Sequence, residues 1–302
     1  MSGTALIVGN FDGVHLGHAA LAAAARAEIG KAGRLVALTF DPPPAEVLQP
    51  DAPKRRLMTL ADRCDRLRAI GVDEVIVKEI DLRWLERTPE AFVQGDLLEH
   101  EPNVIVEGPD FRFGRHRAGD VELLTTLGRR HGFDVVVVPP QVGMLCNLEQ
   151  VPIRSSTIRW LIERGRVRDA ARLLGRPWTV EGSVVPGDRR GRTIGCPTAN
   201  LDHGQVLLPA DGVYAGRASV PGGVYAAAIS VGTKPSFGHA TRVLEAHVID
   251  WDGPLDAYGW PLQVTVDRWL RDQVAFASVD ALTEQIARDI DAARCVTATT
   301  PG

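Results

Sequence analysis

The sequence predicts two modules of different fold class, an α/β module on a parallel sheet and then an antiparallel β-barrel or sheet with a C-terminal helix. In the first half, short apolar runs alternate with segments whose apolar residues recur at the spacing of an α-helix. This alternation is typical of a parallel sheet covered by helices on both faces. After the Gly-Arg-Pro tripeptide at 175–177, strand-like segments follow one another between turns rich in Pro, Gly and Asp. No long helix interrupts them before Ser278. We therefore place the domain boundary between residues 1–176 and 177–302.

The elements of the first module follow from its apolar pattern. Five short apolar runs predict buried strands: Ala5–Val8, Leu35–Phe40, Val75–Val77, Val104–Val106 and Val135–Val138. Residues at helical spacing predict helices near 60–70 and 121–127, and two further helices near 155–162 and 167–174 complete the module. Ligands of such folds bind beyond the carboxyl ends of the strands.

The second module reads as a series of strands and one helix. The predicted strands are Trp178–Val185, Val213–Val220, Val224–Val231, Val243–Trp251 and Leu262–Leu270. The C-terminal helix carries Val279, Leu282, Ile286 and Ile290 on one face. We expect this face to pack against the barrel or sheet.

Composition excludes several classes of protein. The formal net charge of −4 argues against a surface that coats nucleic acid. No apolar run approaches the roughly 20 residues that cross a bilayer, and the N-terminus lacks the basic and apolar regions of a signal peptide. The four cysteines are scattered without a CxxC pair, so neither a zinc site nor a disulfide framework is indicated. We expect a cytoplasmic protein without nucleic-acid or membrane partners, and weak self-association is left open.

The segment at 9–18, Gly-Asn-Phe-Asp-Gly-Val-His-Leu-Gly-His, follows the first predicted strand and opens an alanine-rich helix. Unpaired N–H groups and the helix dipole attract anions at such a position. Glycines let a large polyanion approach the backbone. His15 and His18 are three residues apart, so they share one helical face and can donate hydrogen bonds to phosphate oxygens. The segment therefore predicts a site for the phosphate chain of a nucleotide.

Together with other segments in the same order, this motif makes the chain resemble the bacterial bifunctional riboflavin kinase/FAD synthetase family over nearly its whole length. In the first half the similarity rests on Gly9–His18, Thr39–Pro42, Glu107–Gly114 and Ile153–Arg159. In the second half it rests on Gly187–Arg192, Pro197–Asn200, Asp211–Ala215, Gly232–Gly238 and Leu244–His247. The resemblance implies a Rossmann-like nucleotidyltransferase domain of the FMN adenylyltransferase kind, followed by an antiparallel riboflavin kinase barrel.

The resemblance also implies two activities on small-molecule substrates. The second module would phosphorylate riboflavin to FMN with ATP and Mg²⁺, and the first would adenylylate FMN to FAD with a second ATP. In the first module the implied catalytic residues are His15, His18 and Arg159. The implied nucleotide-binding residues there are Gly9, Asn10, Phe11, Asp12 and Ser155, with Asn10 and Phe11 lending backbone N–H groups. Asp110 and Phe111 match positions near the flavin and adenine sites.

In the second module, Glu245 matches the family's catalytic base, which accepts the proton of the ribityl hydroxyl. Thr198 and Asn200 supply hard oxygen ligands two residues apart on an extended segment, and the resemblance implies that they bind Mg²⁺. The remaining implied residues are Gly187, Arg192 and Gly195 for the nucleotide, and Arg271 and Phe276 for the flavin. His247 shares a strand face with Glu245 and is a candidate for a supporting role.

The chain departs from the family pattern at a few positions. Pro43 stands where the family usually has histidine, and Arg154 stands at the first serine of the family's Ser-Ser-Thr-x-Ile-Arg motif. Lys234 and Cys196 replace a common asparagine and a common aromatic residue. The first two changes are the basis of an alternative, a riboflavin kinase whose adenylyltransferase module is weakened or inactive.

Two other classes stay open at this point. A flavin-binding or regulatory protein without turnover would need neither metal ligands nor a base, so the Pro-Thr-Ala-Asn segment at 197–200 and Glu245 favour an enzyme. The first half alone could belong to a cytidylyltransferase-like enzyme for another phosphorylated substrate, and the second half argues against that reading.

Overall fold

The structure is a computed structural model that describes residues 3–53, 55–187, 190–236, 239–254 and 257–299. Contacts divide the chain into two compact units. The first unit contains residues 1–54, 60–143 and 150–154, and the second contains 55–59, 144–149 and 155–302. The boundary after Arg176 stays a prediction.

The first unit is built on a five-stranded sheet in which all neighbouring strands are parallel. Its strands are β1 (Thr4–Val8), β2 (Arg34–Phe40), β3 (Glu74–Lys78), β4 (Val104–Glu107) and β5 (Asp134–Val137). They include every strand that the apolar runs predict. The runs are continuous because the central strands are buried on both faces, as the neighbouring residues Leu6 and Ile7 show: they point to opposite faces of β1, and neither has exposed surface.

Helices connect these strands. They are α1 (Leu16–Ile29), α2 (Pro44–Leu48), α3 (Leu60–Ala69), α4 (Leu82–Leu85), α5 (Pro89–Phe92) and α6 (Val121–His131). A π-helix (Val93–Leu97) and two 3₁₀ turns (Leu98–His100 and Arg115–Arg117) lie between α5 and α6. The caps of α6 illustrate why a helix forms here. Asp120 accepts a hydrogen bond from the Leu123 N–H at 2.9 Å, and Gly132 ends the helix in the left-handed region at φ +85°.

The order of the strands creates a crevice at one edge of the sheet. That order is β3-β2-β1-β4-β5, so the chain reverses direction of winding between β1 and β4. Strands β1 and β4 are neighbours in the sheet and pair at Ala5–Val104 and Leu6–Ile105. In open α/β sheets, ligands bind outside the carboxyl ends of the strands at such a switch point. The loop from Gly9 and the loop from Gly108 both leave the sheet there.

A two-stranded sheet and two helices follow along the chain. They are β6 (Val142–Met144), β7 (Gln150–Pro152), α7 (Ser155–Ile162) and α8 (Val167–Leu174). Both helices were predicted, and Gly175 follows α8 in the left-handed region at φ +77°.

The second unit contains a closed antiparallel barrel in the order β10-β11-β12-β9-β8-β13. Its elements are β8 (Trp178–Val185), α9 (Arg190–Thr193), β9 (Ala199–Asp202), β10 (Gly212–Val220), β11 (Gly223–Ser236), β12 (His239–Val248), β13 (Pro261–Arg271) and α10 (Val279–Thr299). The predicted class and five predicted strands are confirmed. Strand β9 was predicted only as an extended segment, because four residues with Asn and Asp carry little strand propensity. It forms because it pairs with β8 on one side and β12 on the other.

Helix α10 covers one side of the barrel, as its apolar pattern predicts. Ala293 is fully buried with Ala215 and Ile249, and Ile290 packs against them. Val279 was expected on the same face but is 63% exposed, because it occupies the first position of the helix. Among the described residues, none of the helices combines the length and apolar character that crossing a bilayer requires.

Candidate active sites

The loop between β1 and α1 adopts an unusual backbone. Phe11 and Val14 have φ values of +46° and +37°, in the left-handed region that aromatic and β-branched residues rarely enter. The turn is closed by the Val14 N–H, which donates to the Phe11 carbonyl at 3.1 Å. Residues held in such conformations concentrate at functional sites, because the surrounding structure must compensate their strain.

The two histidines of the motif lie together at the start of α1. Their rings stack with centroids 3.6 Å apart, and the Phe11 ring meets His18 edge-on at 5.1 Å. The His15 N–H donates to Nδ1 of His18 at 3.3 Å. In a neutral imidazole the other nitrogen then carries the proton, so Nε2 of His18 is a hydrogen-bond donor. The structure thus brings His15, His18 and Phe11 together at a helix N-terminus, as the sequence predicts.

Two residues that hold this loop were missed by the sequence reasoning. The Asn10 carbonyl accepts hydrogen bonds from Arg63 Nη1 at 2.8 Å and from Thr39 Oγ1 at 3.3 Å. Nη2 of Arg63 lies 3.5 Å from Asp41 Oδ1. An arginine within a helical pattern is ordinarily read as a solvated charge, yet Arg63 is only 4% exposed. The Thr-Phe-Asp-Pro motif places Thr39 and Asp41 at the end of β2. It was the sequence feature that could have indicated these contacts to the loop.

The other wall of the crevice begins with Glu107, a buried carboxyl at the end of β4. Its Oε1 accepts a hydrogen bond from the Val8 N–H at 2.6 Å, where a backbone carbonyl would continue the ladder. Burial raises the pKa of Glu107 well above its usual 4.5, and the nearby Asp110 charge adds to the shift. Glu107 is the first residue of the motif at 107–114, but the sequence did not predict a role for it.

The predicted flavin residues of the first unit follow Glu107. Asp110 is exposed, and its Oδ2 lies 3.5 Å from Nη2 of Arg154, one of the residues that depart from the family pattern. The Phe111 ring stacks on Phe113 with centroids 5.4 Å apart. The flavin-binding role of Asp110 and Phe111 stays a prediction.

Ser155 and Arg159 belong to the second unit. Ser155 is the first residue of α7, and Nε of Arg159, one turn later, donates to the Arg55 carbonyl at 2.9 Å. Their role as a phosphate clamp stays a prediction.

A cleft in the second unit brings together four of the predicted kinase residues, while Glu245, Arg271 and Phe276 are not among those that line it. Gly187, Arg192, Thr198 and Asn200 line it, and Trp251, Tyr258 and Trp260 form an aromatic part of its wall. A Cβ at Gly187 would overlap with the Asn200 amide, so a side chain at 187 would displace a predicted metal ligand. Gly195 lies outside the lining residues and forms a turn at φ +75°. Asp188, Arg189, Phe237 and Gly238 of the quoted motifs fall outside the described residues, as does the side chain of Lys234.

The barrel register places Glu245 between two polar neighbours. Glu245 of β12 pairs with Asn200 of β9 on one side and with Ser230 of β11 on the other. Directly opposed side chains share a face of a sheet, so the carboxylate lies beside the Asn200 amide. His247, two residues further, makes a 2.8 Å hydrogen bond from Nδ1 to the Pro197 carbonyl. It therefore ties β12 to the start of the segment that carries Thr198.

The donor set of this segment fits Mg²⁺. A hydroxyl, an amide oxygen and a neighbouring carboxylate are the hard oxygen ligands that this ion prefers, and Mg²⁺ in phosphoryl-transfer sites is held by few protein ligands together with substrate phosphates. Within the described part of the chain there is no group of three or more His, Cys, Asp or Glu residues that could hold a metal without such help.

Arg271 and Phe276, the predicted flavin residues of the second unit, lie at the end of β13. The Arg271 guanidinium donates to both carboxylate oxygens of the buried Asp289 on α10, at 2.8–3.1 Å, and lies 5.5 Å from the Phe276 ring centroid. This pair anchors α10 to the barrel. The flavin-binding role stays a prediction.

The fold and these sites define a class of enzyme, a nucleotide-dependent transferase with an α/β module and a barrel module. The sequence model of the FAD synthetase family matches residues 1–156, and that of riboflavin kinase matches residues 174–297. The bifunctional riboflavin kinase/FMN adenylyltransferase of Escherichia coli K12 is 35% identical over 95% of this chain and 90% of the relative. That of Listeria monocytogenes is 32% identical over 94% and 89%. The chain belongs to the bifunctional riboflavin kinase/FMN adenylyltransferase family.

A solved structure shares this fold over nearly the whole chain. It is described as a macrolide-efflux protein from Streptococcus pneumoniae, is 31% identical, and superposes with a TM-score of 0.85 over 97% of this chain and 94% of its own. Because both catalytic domains are present, the chain makes FMN from riboflavin and FAD from FMN, in each case with ATP. Nothing in the comparisons favours the kinase-only alternative.

Proposed function

We propose that the two reactions are carried out by separate sets of residues, the kinase step at the barrel cleft and the adenylyl step at the histidine loop. The observation that supports the first assignment is the cleft lined by Gly187, Arg192, Thr198 and Asn200. The second assignment is supported by the stacked His15 and His18 at the crevice between β1 and β4.

In the kinase step the terminal ribityl hydroxyl attacks the γ-phosphorus of ATP, the bond to the β–γ bridging oxygen breaks, and ADP leaves. Glu245 accepts the hydroxyl proton. Thr198 and Asn200 hold Mg²⁺, and Arg192 pairs with a phosphate. The ion, when bound, neutralises charge on the β- and γ-phosphates. The glycines at 187 and 195 let the chain approach the nucleotide closely.

In the adenylyl step an oxygen of the FMN phosphate attacks the α-phosphorus of ATP, and pyrophosphate leaves. Charge grows on the phosphate oxygens, so catalysis depends on positioned donors rather than on a covalent intermediate. His15, His18 and Arg159 donate hydrogen bonds to these oxygens. Gly9, Asn10, Phe11, Asp12 and Ser155 shape the nucleotide site around them.

We assign the flavin to residues near each set. Asp110 and Phe111 follow the buried end of β4 in the first unit. In the second unit Arg271 is the last residue of β13, and Phe276 lies in the segment after it. A cytoplasmic location and small-molecule substrates, with neither nucleic acid nor a membrane as partner, complete the proposal, and weak self-association is left open. The net charge of −4 supports the absence of nucleic acid.

Single substitutions test this division of labour. The protein is incubated with riboflavin, ATP and Mg²⁺, and flavins are separated by chromatography. We expect His18→Ala to lower the rate of FAD formation about 10²- to 10³-fold, so that FMN accumulates. Glu245→Gln should slow FMN formation by about 10²–10⁴ yet still convert supplied FMN to FAD. The exposed residues His131 and Glu284 provide matched controls, His131→Ala and Glu284→Gln.

The outcomes separate the alternatives. Loss of both activities from either variant, in a protein that remains folded, would refute the division. Accumulation of FMN without FAD by the unmodified protein would support the kinase-only alternative instead.

A further inference from the structure

The backbone of the histidine loop is held from inside the first unit at one carbonyl group. The Asn10 carbonyl accepts from Arg63 Nη1 at 2.8 Å and from Thr39 Oγ1 at 3.3 Å. Both donors are buried, Thr39 completely and Arg63 to all but 4%. Asn10 itself is exposed. The carbonyl therefore points into the protein from a residue that lies at its surface.

The direction of this carbonyl sets the direction of the next N–H. In a trans peptide the C=O and the following N–H point in opposite directions. Because the Asn10 carbonyl accepts from two buried side chains, the Phe11 N–H points the opposite way, away from both donors, although Phe11 as a whole is only 2% exposed. Among the residues that the structure describes, none accepts a hydrogen bond from this N–H. It is thus a backbone donor within the loop that is proposed to bind the phosphates.

Arg63 also explains how the loop keeps its backbone. Phe11 stays at φ +46°, a conformation that costs energy unless its neighbours enforce it. The guanidinium makes two contacts. Its Nη1 donates to the Asn10 carbonyl of the loop, and its Nη2 lies 3.5 Å from Asp41 Oδ1. A buried arginine is tolerated when it is paired in this way. Its planar, two-pronged donor set cannot be reproduced by lysine.

We propose that Arg63 and Thr39 are positioning residues of the adenylyl step, which fix the Asn10–Phe11 peptide so that the Phe11 N–H donates to the ATP phosphates. This inference rests on the proposed role of the histidine loop. It adds two residues on α3 and β2 that act through the backbone and do not touch the substrate.

Steady-state kinetics of FAD formation from FMN and ATP tests the proposal. We expect Arg63→Met to lower kcat about 100-fold, because a misplacement of about 1 Å causes a loss of that size. The KM for FMN should change little. Arg63→Lys should recover only a small part of this loss. Arg68→Ala, on the same helix but in an exposed pair with Asp65, should leave kcat unchanged. The riboflavin kinase activity of each sample is measured as a control, because it shows whether the second unit is folded and active.

The two donors share one acceptor, so their effects should not add. Thr39→Val is expected to lower kcat about three- to tenfold in the unmodified protein and to have little further effect beside Arg63→Met. A role limited to stability would instead lower the unfolding temperature and give additive losses. If Arg63→Met does not fold, Arg63→Lys and Thr39→Val carry the test, because both conserve size.

The results distinguish this inference from the proposed function beneath it. Normal kcat in folded Arg63→Met and Thr39→Val, with FAD formation lost in His18→Ala, overturns the positioning role alone. Normal FAD formation in His18→Ala overturns the proposed role of the loop itself.

Discussion

Gly17 lies between the two histidines of the motif, and the structure gives a steric reason for it. A Cβ at this position would lie 3.1 Å from Cε1 and Nδ1 of His15 and 3.3 Å from the Ile153 carbonyl oxygen. These distances are shorter than ordinary contacts, and the His15 ring is stacked on His18. A side chain at 17 must therefore displace the His15 imidazole.

The substitution Gly17→Ala separates site geometry from helix stability. Alanine favours the helical state over glycine by about 1 kcal/mol, so the unfolding temperature should not fall. FAD formation should nevertheless fall at least tenfold, measured by chromatography with FMN and ATP, while FMN formation is unchanged. Gly95→Ala is the matched control, because its added Cβ would meet only Arg87 Nη1, at an ordinary 3.5 Å. Full FAD formation in Gly17→Ala would contradict this reading of the glycine.

At the residue scale, the sequence predicted that the two histidines lie together at the start of a helix, and it missed the groups that hold the chain just before them. His15 and His18 stand in a local motif, where spacing and helix start indicate an anion site. Arg63 reaches Asn10 across 53 residues of chain, and Glu107 reaches Val8 across 99. Such contacts depend on strand order, which periodicity does not supply.

Some of the strands could likewise be predicted from the sequence, and others could not. Strands β1 to β5 were predictable because burial on both faces makes each a continuous apolar run. Strand β9 was not, because its four residues become a strand only through pairing with β8 and β12. The ends of strands can also depend on side chains. Glu107 accepts the Val8 N–H where β1 and β4 diverge, so one carboxyl joins the two strands at the crevice.

The stability of this junction should depend on pH. Burial raises the pKa of Glu107 well above its usual 4.5, so the folded state holds a proton that the unfolded state releases. The stabilisation is complete below about pH 4.5 and is lost as the pH rises through the raised pKa. Glutamine offers the same acceptor oxygen to Val8 and does not titrate. We therefore expect the unfolding temperature of Glu107→Gln, relative to the unmodified protein, to increase with pH.

Thermal unfolding at a series of pH values measures this difference. Glu122→Gln, at an exposed position of α6, is the control and should follow the unmodified protein at every pH. Parallel profiles for the unmodified protein and Glu107→Gln would show that the Glu107 carboxyl carries no such proton.

At the scale of the whole molecule, the order of the two modules was predictable from the change in hydrophobic period after residue 177. The compact units are less simple than that order. Residues 55–59 and 144–149 belong with the barrel unit although they lie far earlier in the chain. Trp178 Nε1, for example, donates to the Leu57 carbonyl at 3.2 Å. The sequence did not indicate that these segments belong with the barrel, because hydrophobic periodicity reports elements and not their partners.

The predicted boundary after Arg176 can be tested by comparing two fragments, 155–302 and 177–302. Helices α7 and α8 belong to the same compact unit as the barrel. Val167, Ala170 and Leu173 of α8 are almost fully buried. The Ile162 carbonyl at the end of α7 accepts from the Ala210 N–H at 3.2 Å. Burial of a Val or Leu side chain contributes about 1.5–3 kcal/mol, and a domain's net stability is only about 5–15 kcal/mol.

We therefore expect fragment 155–302 to fold and to phosphorylate riboflavin, and fragment 177–302 to unfold at a clearly lower temperature. Both should be less stable than the full chain, because both lack residues 55–59 and the Trp178–Leu57 hydrogen bond. Thermal unfolding and FMN formation, measured on the fragments side by side, decide the matter. Equal stability and activity of the two fragments would place the boundary after Arg176, since α7 and α8 would then contribute nothing to the kinase unit. A difference between them would instead assign both helices to it.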